Sequence, residues 1–184
     1  MTRAALAVAV LIAACSKPPG VVRSEVRAYY GRLQTWAPVE AETERAIERI
    51  LRTQFVDEAE VRRQIADDRP RVLAHLERVR AYQPQSEEVK DVHARYIAAW
   101  VGLLGGYDAI EQGFGTGDYT KLARGREAIE AWRAEIADVA RTLRDLMQRF
   151  DVEPGATVES RASGGCPHSA TQSTKSSACP AVIA

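Results

Sequence analysis

The segment VKDVHARYIAAWVGLLGGYDAIEQGF, residues 89–114, has an aromatic or aliphatic side chain at every third or fourth position. The stripe consists of Val89, His93, Tyr96, Trp100, Leu103, Tyr107, Ile110 and Phe114. Alternating steps of three and four are typical of a helix that buries one face against its neighbours. The segment therefore predicts a long amphipathic helix with a heptad-like seam.

A second regular stripe follows within residues 122–150. Its members are Leu122, Gly125, Ile129, Trp132, Ile136, Val139, Leu143, Leu146 and Phe150. Ser86 precedes the first of these two segments and Asp118 precedes the second, and both residue types are favoured N-caps. We expect two helices here, separated by the glycine-rich turn at residues 113–117.

Two earlier segments show the same periodicity less regularly. The first is marked by Val22, Val26, Tyr29, Leu33, Trp36, Ile47 and Ile50, and the second, starting at Asp57, by Val61, Ile65, Val72, Leu76 and Val79. Pro38 interrupts the first and Pro70 the second, and an internal proline removes one helical hydrogen bond. We expect a kink or short break at Pro38. At Pro70 we expect either a kink or a new helix capped by Asp68.

The connections between these segments are short, around residues 53–56, 83–85 and 113–117. Short loops make consecutive helices antiparallel neighbours. The sequence therefore predicts an all-α, up-down-up-down four-helix bundle over residues 21–150, with kinked first and second helices. Residues 151–184 are rich in Ser, Thr, Gly and Pro and contain few large apolar side chains, which predicts a disordered tail.

The N-terminus carries one basic residue, Arg3, then an apolar run over residues 4–14 that ends at Cys15. This layout is typical of a secretory signal, and the run is too short to span a bilayer. The sequence LIAAC at residues 11–15 resembles a bacterial lipobox, although Ile12 stands where leucine is usual. The resemblance implies cleavage before Cys15 and attachment of diacylglycerol to its thiol. The alternative is an ordinary cleaved signal, with Cys15 free or disulfide-bonded.

The lipobox resemblance divides the N-terminus into a signal peptide, residues 1–14, and a polar tether, residues 15–20. It implies a protein of the cell envelope that is held to the membrane by its lipid. Ser16 is not the aspartate associated with retention in the inner membrane. In a Gram-negative cell the resemblance therefore favours the periplasmic face of the outer membrane.

A second resemblance covers residues 83–150. The pattern PxSEExxDxHxxY at residues 84–96, followed by Gly117-Asp118 and an alanine-rich amphipathic helix, is similar to that of small secreted bacterial helical proteins without an assigned function. It implies a helical fold and identifies no particular family.

Composition and motifs exclude several function classes. Lys plus Arg equals Asp plus Glu at 25 each, and no basic block is present, so nucleic acid is a poor candidate ligand. Neither His75 nor His93 follows a glutamate by three residues, as di-iron bundles require. Cys166-Pro167-His168 is not a c-type haem motif. No nucleophile, base and orienting group form a set, so we expect neither a cofactor nor catalysis.

Three groups of residues within the predicted bundle are candidates for a role beyond packing. His93 lies on the seam of the third helix, where it could ligate a metal or haem or form a core hydrogen bond with a tyrosine. Glu40 and Thr43 reach the seam if the register survives Pro38, and Glu40 would then approach His93. The glycines at 102, 105 and 106 indicate close packing opposite Trp132 or Trp36, a bend, or room for a ligand.

Cys166 and Cys179 are the thiols that remain after lipidation of Cys15. In an oxidising compartment we expect them to form a disulfide that closes a loop of the tail. The alternative is a weak copper or zinc site that also uses His168.

Two function hypotheses follow from these residues. The first is a lipid-anchored envelope protein that acts by contact with another envelope protein, through an apolar strip such as Phe55-Val56 or Tyr29-Tyr30. The second is a metal or small-ligand carrier that uses a gap between helices near His93, or the Cys166, His168 and Cys179 tail.

Overall fold

The structure, a computed structural model, describes residues 18–154. Within this range the chain forms four helices and no strand. They are α1 (Pro19–Arg52), α2 (Glu58–Arg80), α3 (Glu87–Thr116) and α4 (Tyr119–Arg149). The prediction of an all-α fold is confirmed.

Each helix packs antiparallel to the next, and α1 also packs against α4, which closes the bundle. Arg23 near the start of α1 forms an ion pair with Asp151 just after α4, at 2.7 Å. At the opposite end, the rings of Phe55, after α1, and Phe114, late in α3, lie 6.4 Å apart. The up-down-up-down topology is therefore confirmed. Of the diagonal pairs, α1 and α3 approach each other, whereas no Cα atoms of α2 and α4 lie within 8 Å of each other.

Both internal prolines lie inside continuous helices. Pro38 is within α1 and Pro70 is within α2, and both are exposed. The carbonyl that loses its helical partner at each proline therefore lies on the side of the helix that water can reach. The alternative of a separate helix capped by Asp68 is wrong, because Asp68 lies in mid-helix with its side chain buried.

The N-terminus of α3 is capped by a different group from the one predicted. Ser86 occupies the N-cap position, but its side chain makes no capping hydrogen bond. Instead the carboxylate of Glu25 on α1 accepts hydrogen bonds from the backbone N–H of Ser86, at 2.7 Å, and of Gln85. A charged acceptor at a helix N-terminus also complements the helix dipole. The cap of α3 is therefore supplied by another helix.

The α3–α4 connection is shorter than predicted. Helix α3 continues through Gly113 to Thr116, and Gly117 ends it in the left-handed conformation, with φ 68°. Asp118 then caps α4 as predicted, accepting from the backbone N–H of Thr120 at 2.9 Å. Glycine suits position 117 because other residues are strained at positive φ.

Helices α3 and α4 meet at a contact formed by glycines. A Cβ atom on Gly106 would lie 2.9 Å from the Cβ of Ala128 and 3.1 Å from the carbonyl oxygen of Gly125. Close packing is therefore confirmed for Gly106, although the facing residues are small rather than tryptophans. Gly102 and Gly105 are exposed, and a Cβ atom on either of them would meet nothing within 4 Å, so close packing is wrong for them.

The helical region extends slightly past the predicted boundaries. Helix α1 already begins at Pro19, inside the segment predicted as a tether. At the other end, the side chain of Val152 is buried against the core, inside the segment predicted as a tail. The predicted signal, the first half of the predicted tether and the predicted tail from residue 155 onward lie outside the described residues.

Candidate functional site

A groove of about 490 Å³ runs between α1 and α4. We call it the α1–α4 groove. It is lined by Ala37, Glu40, Ala41, Glu44, Trp132, Arg133, Ile136, Ala137 and Ala140. Its four alanines are exposed, so the groove is open to solvent.

Small side chains on both helices leave this space. Ala37 and Ala41 are one helical turn apart on α1, and Ala137 and Ala140 are three residues apart on α4. Residues at these spacings share one face of a helix. The alanine faces of α1 and α4 therefore leave a groove between the two helices.

Glu40 supplies a carboxylate to the otherwise largely apolar groove. Its side chain is half-buried, and its Oε1 accepts a hydrogen bond from the hydroxyl of Tyr96 at 2.5 Å. The same hydroxyl lies 3.0 Å from Nε2 of His75, which is fully buried. The three side chains therefore form a hydrogen-bonded chain from the groove into the core.

The direction of these hydrogen bonds follows from proton counting. Tyr96 has one hydroxyl proton and gives it to Glu40, so Nε2 of His75 must carry the proton that it donates to the tyrosine oxygen. His75 is then the neutral Nε2–H tautomer. Its Nδ1 is a buried acceptor without a hydrogen-bond partner among the described residues.

Aromatic rings surround the hydrogen-bonded chain. The Trp36 ring stacks on Tyr96 with centroids 5.6 Å apart, and the Trp100 ring lies 4.4 Å from that of His75. Such packing holds the tyrosine hydroxyl in place and excludes water from it.

Burial shifts the pKa of each end of this chain toward the neutral form. Desolvation raises the pKa of Glu40, and the hydrogen bond from Tyr96 opposes that shift. Desolvation, with a smaller effect from Arg78, lowers the pKa of His75 to about 4. His75 is therefore uncharged at neutral pH, and the ionised form of Glu40 is disfavoured relative to an exposed glutamate.

An ion pair adds to the polar character of the groove. Arg133 on α4 pairs with Glu44 on α1 at 2.6 Å, which links the two helices. Trp132 is 3% exposed, and its Nε1 is a buried donor with no hydrogen-bond partner in the described part of the chain. The groove therefore combines apolar walls with a compensated ion pair and a carboxylate.

Asp68 is a second buried carboxylate, away from the groove. Its Oδ2 accepts from the hydroxyl of Tyr107 at 2.9 Å, and its Oδ1 lies 2.7 Å from Arg71 and 3.5 Å from the hydroxyl of Thr43. Burial raises the pKa of Asp68, while Tyr107 and Arg71 oppose that shift. Because these partners come from α1, α2 and α3, we assign Asp68 a structural role in joining the helices.

His93 is a core histidine, as one of the two sequence interpretations predicted. Its Nδ1 lies 3.3 Å from the hydroxyl of Tyr29, and its ring packs edge-on against Tyr82. Glu40 forms its hydrogen bond with Tyr96 rather than with His93, and the histidine beyond Tyr96 is His75. Residues 18–154 contain no group of three or more His, Cys, Asp or Glu side chains that could hold a metal ion.

The other residues proposed from the sequence have different outcomes. Cys15, Cys166, His168 and Cys179 lie outside the described residues. Tyr29 is fully buried, so an exposed strip at Tyr29-Tyr30 is wrong. Phe55 is partly buried against the core, whereas the adjacent Val56 is 86% exposed.

The sequence indicates Glu40 as a candidate but not the hydrogen bonds that link it to Tyr96 and His75. Tyr96 was interpreted only as part of the apolar stripe of α3. Asp68 and His75 occur at the spacing of the α2 stripe, between Ile65, Val72 and Val79. Polar residues that continue an apolar stripe are a signal for a buried polar network, because a buried polar group needs a partner.

Among the described helices, none is long and apolar enough to cross a membrane. Comparisons with protein-family models, curated proteins and solved structures find no match to this chain.

Proposed function

We propose that this chain is a lipid-anchored binding protein of the bacterial cell envelope, which holds a small ligand in the α1–α4 groove and catalyses no reaction. The observation that carries the proposal is the half-buried carboxylate of Glu40 in a groove with alanine walls. This is the ligand-carrier hypothesis with its site moved from the surroundings of His93 to the gap between α1 and α4.

The position of Glu40 supports ligand binding because its partial burial costs free energy when no ligand is bound. A carboxylate beside apolar walls loses part of its hydration and needs polar partners in return. Tyr96 supplies one hydrogen bond to Oε1. A ligand that fills the groove and contacts the remaining lone pairs would supply others, and apolar pockets with a few converging polar groups are typical binding sites.

The lipobox resemblance supports the anchored location. Helix α1 begins at Pro19, four residues after Cys15. Four extended residues span at most about 14 Å. If Cys15 carries a lipid, the end of the bundle that contains Arg23 and Asp151 is therefore held close to the membrane surface.

Metabolic labelling with an alkyne fatty acid tests the anchor. We expect the wild-type protein to incorporate the label in its native host and the Cys15→Ser variant to lose it. The matched control Cys166→Ser keeps a thiol at position 15 and is expected to remain labelled. Labelling of the Cys15→Ser protein at the wild-type level would show that the lipobox interpretation is wrong.

Native mass spectrometry of protein extracted gently from its own membranes tests the groove. We expect a fraction of the molecules to carry the added mass of a small organic compound. Ala137→Trp should remove that mass by filling the groove. Ala134→Trp is the matched control, because Ala134 is an exposed alanine of the same helix that does not line the groove. Wild-type protein without any added mass would contradict the proposal.

A second candidate function, contact with another envelope protein, is favoured by the surface of α3. Residues 97–107 contain no charged side chain, and Ala98, Val101, Gly102 and Gly105 are exposed. A photo-crosslinking residue at position 101 should trap a partner in living cells, whereas the same residue at exposed position 130 of α4 should not. Equal results at both positions would remove the support for this surface.

A further inference from the structure

We infer that the α1–α4 groove selects amphiphilic amines, molecules in which one ammonium group is attached to an apolar body. The ammonium would pair with the carboxylate of Glu40 while the apolar body lies along the alanine walls. This inference rests on the proposed function of the groove and adds the chemical class of its ligand.

The charges that line the groove do not cancel. They are Glu40, Glu44 and Arg133. Arg133 is committed to Glu44, with its Nη2 2.6 Å from the Glu44 Oε1. Glu40 forms no ion pair among the described residues, so one negative charge remains without a cationic partner. A cationic ligand is the complement of that charge.

The hydrogen-bond capacity of Glu40 leads to the same ligand class. A carboxylate only accepts, and it can accept on both oxygens. Tyr96 occupies Oε1 from the core side. An ammonium group offers three donors and no acceptor, so it can bond to the remaining positions without leaving an unmatched lone pair.

Tyr96 cannot supply the further hydrogen bonds that a ligand would give to the Glu40 carboxylate. Its hydroxyl already lies between Glu40 and Nε2 of His75, both within 3.0 Å. The Trp36 ring stacks on Tyr96 with centroids 5.6 Å apart, which holds the tyrosine ring in place.

The same features discriminate against other amphiphiles. A carboxylate ligand would bring a like charge beside Glu40 and Glu44, which costs free energy. An alcohol would donate a hydrogen bond to the Glu40 carboxylate but carries no positive charge. The amine adds the attraction between two opposite charges, which is about 1 kcal/mol at 4 Å in water. We therefore expect the amine to bind about fivefold more tightly than the alcohol of equal chain length.

Three ligands that differ only in their headgroup test the inference. Octylammonium, octanol and octanoate are titrated into the full mature protein at pH 7.5, below their aggregation concentrations, with calorimetry and tryptophan fluorescence as readouts. We expect octylammonium to bind most tightly and octanoate least tightly. Glu40→Gln should remove the advantage of the amine over the alcohol and leave octanol binding within about twofold.

Two controls secure the comparison. Glu48→Gln makes the same change at an exposed glutamate of α1 outside the groove and should bind all three ligands like the wild type. Ala137→Trp leaves Glu40 intact and should weaken all three. Circular dichroism and thermal unfolding show whether each variant is folded.

The possible results distinguish an error in the ligand class from an error in the groove as a binding site. Equal binding of amine and alcohol, unchanged in Glu40→Gln but weakened in Ala137→Trp, would overturn the inference and leave the groove as a binding site. Absence of binding by all three ligands would overturn the inference. If native extracts also carry no added mass, the proposed function is overturned with it.

Discussion

A Cβ atom on Gly125 of α4 would lie 2.8 Å from the carbonyl oxygen of Gly106 on α3. The backbones of the two helices therefore approach closely at this point, and the side chain of Ile110 packs directly against Gly125. Helices α3 and α4 pack together over much of their length, whereas a groove remains between α1 and α4.

We expect Gly125→Ala to lower the free energy of unfolding by about 1–3 kcal/mol. The added methyl group would also lie 3.1 Å from the backbone nitrogen of Ile110, so the helices must separate. This cost exceeds the gain in helix propensity of about 1 kcal/mol. Urea denaturation followed by circular dichroism measures the change.

Gly102→Ala is the matched control for this prediction. A Cβ atom at position 102 meets nothing within 4 Å, so only the gain in helix propensity remains. We expect the free energy of unfolding to rise by about 0.5–1 kcal/mol. If both substitutions changed stability in the same direction, the backbone contact between α3 and α4 would not be the determining interaction.

Tyr96→Phe should destabilise the bundle by about 1–3 kcal/mol, because it removes the donor to Glu40 and the acceptor for His75 in one step. Two buried or half-buried polar groups would then lack a partner. Tyr119→Phe removes a hydroxyl from a residue that is 83% exposed and should change stability by less than about 0.5 kcal/mol. Thermal unfolding of the two variants provides the comparison, and equal stabilities would argue against the hydrogen-bonded chain.

Asp67 and Asp68 are adjacent in sequence, but we expect the loss of their side chains to affect stability by very different amounts. Asp68→Ala leaves the hydroxyl of Tyr107 buried without its acceptor, and we expect a loss of about 2–3 kcal/mol. Asp67 is exposed and pairs with Arg63 at 3.2 Å, so Asp67→Ala should cost less than about 1 kcal/mol. Denaturant titrations of both variants measure the difference. A larger loss at position 67 would contradict the assigned structural role of Asp68.

The stability of the bundle should depend on His75 between pH 4 and pH 7. Burial lowers the pKa of His75 to about 4, so the folded state binds the proton less tightly than the unfolded chain does. The resulting stabilisation is complete above the ordinary pKa near 6.5 and is lost as the pH falls toward 4. It amounts to at most about 3 kcal/mol.

Glu40 and Asp68 act in the opposite direction, since burial raises the pKa of both and they bind protons more tightly in the folded state. The comparison must therefore be made between the wild type and His75→Gln, which cannot titrate. We expect the difference in free energy of unfolding to be constant above pH 7 and to change steadily between pH 6.5 and pH 4. A constant difference over the whole range would show that His75 is not buried as a neutral base.

The helices could be predicted from the sequence because their signals are local. Steps of three and four between apolar residues mark each helix, and the short connections require antiparallel neighbours. Asp118 could also be recognised as a cap, since its hydrogen bonds reach only residues 120 and 121. Each of these inferences depends on residues that are close together in the chain.

The candidate site could not be predicted in this way because its parts are distant in sequence. Ser86 suggested its own cap, but the acceptor is Glu25, 61 residues earlier. Glu40 and Tyr96 are 56 residues apart, and no periodicity links them. The sequence alone thus determined the helices, their order and most of the apolar residues that each one buries. Only the tertiary structure decided which buried polar groups meet and where a groove remains, because both depend on the distances between helices.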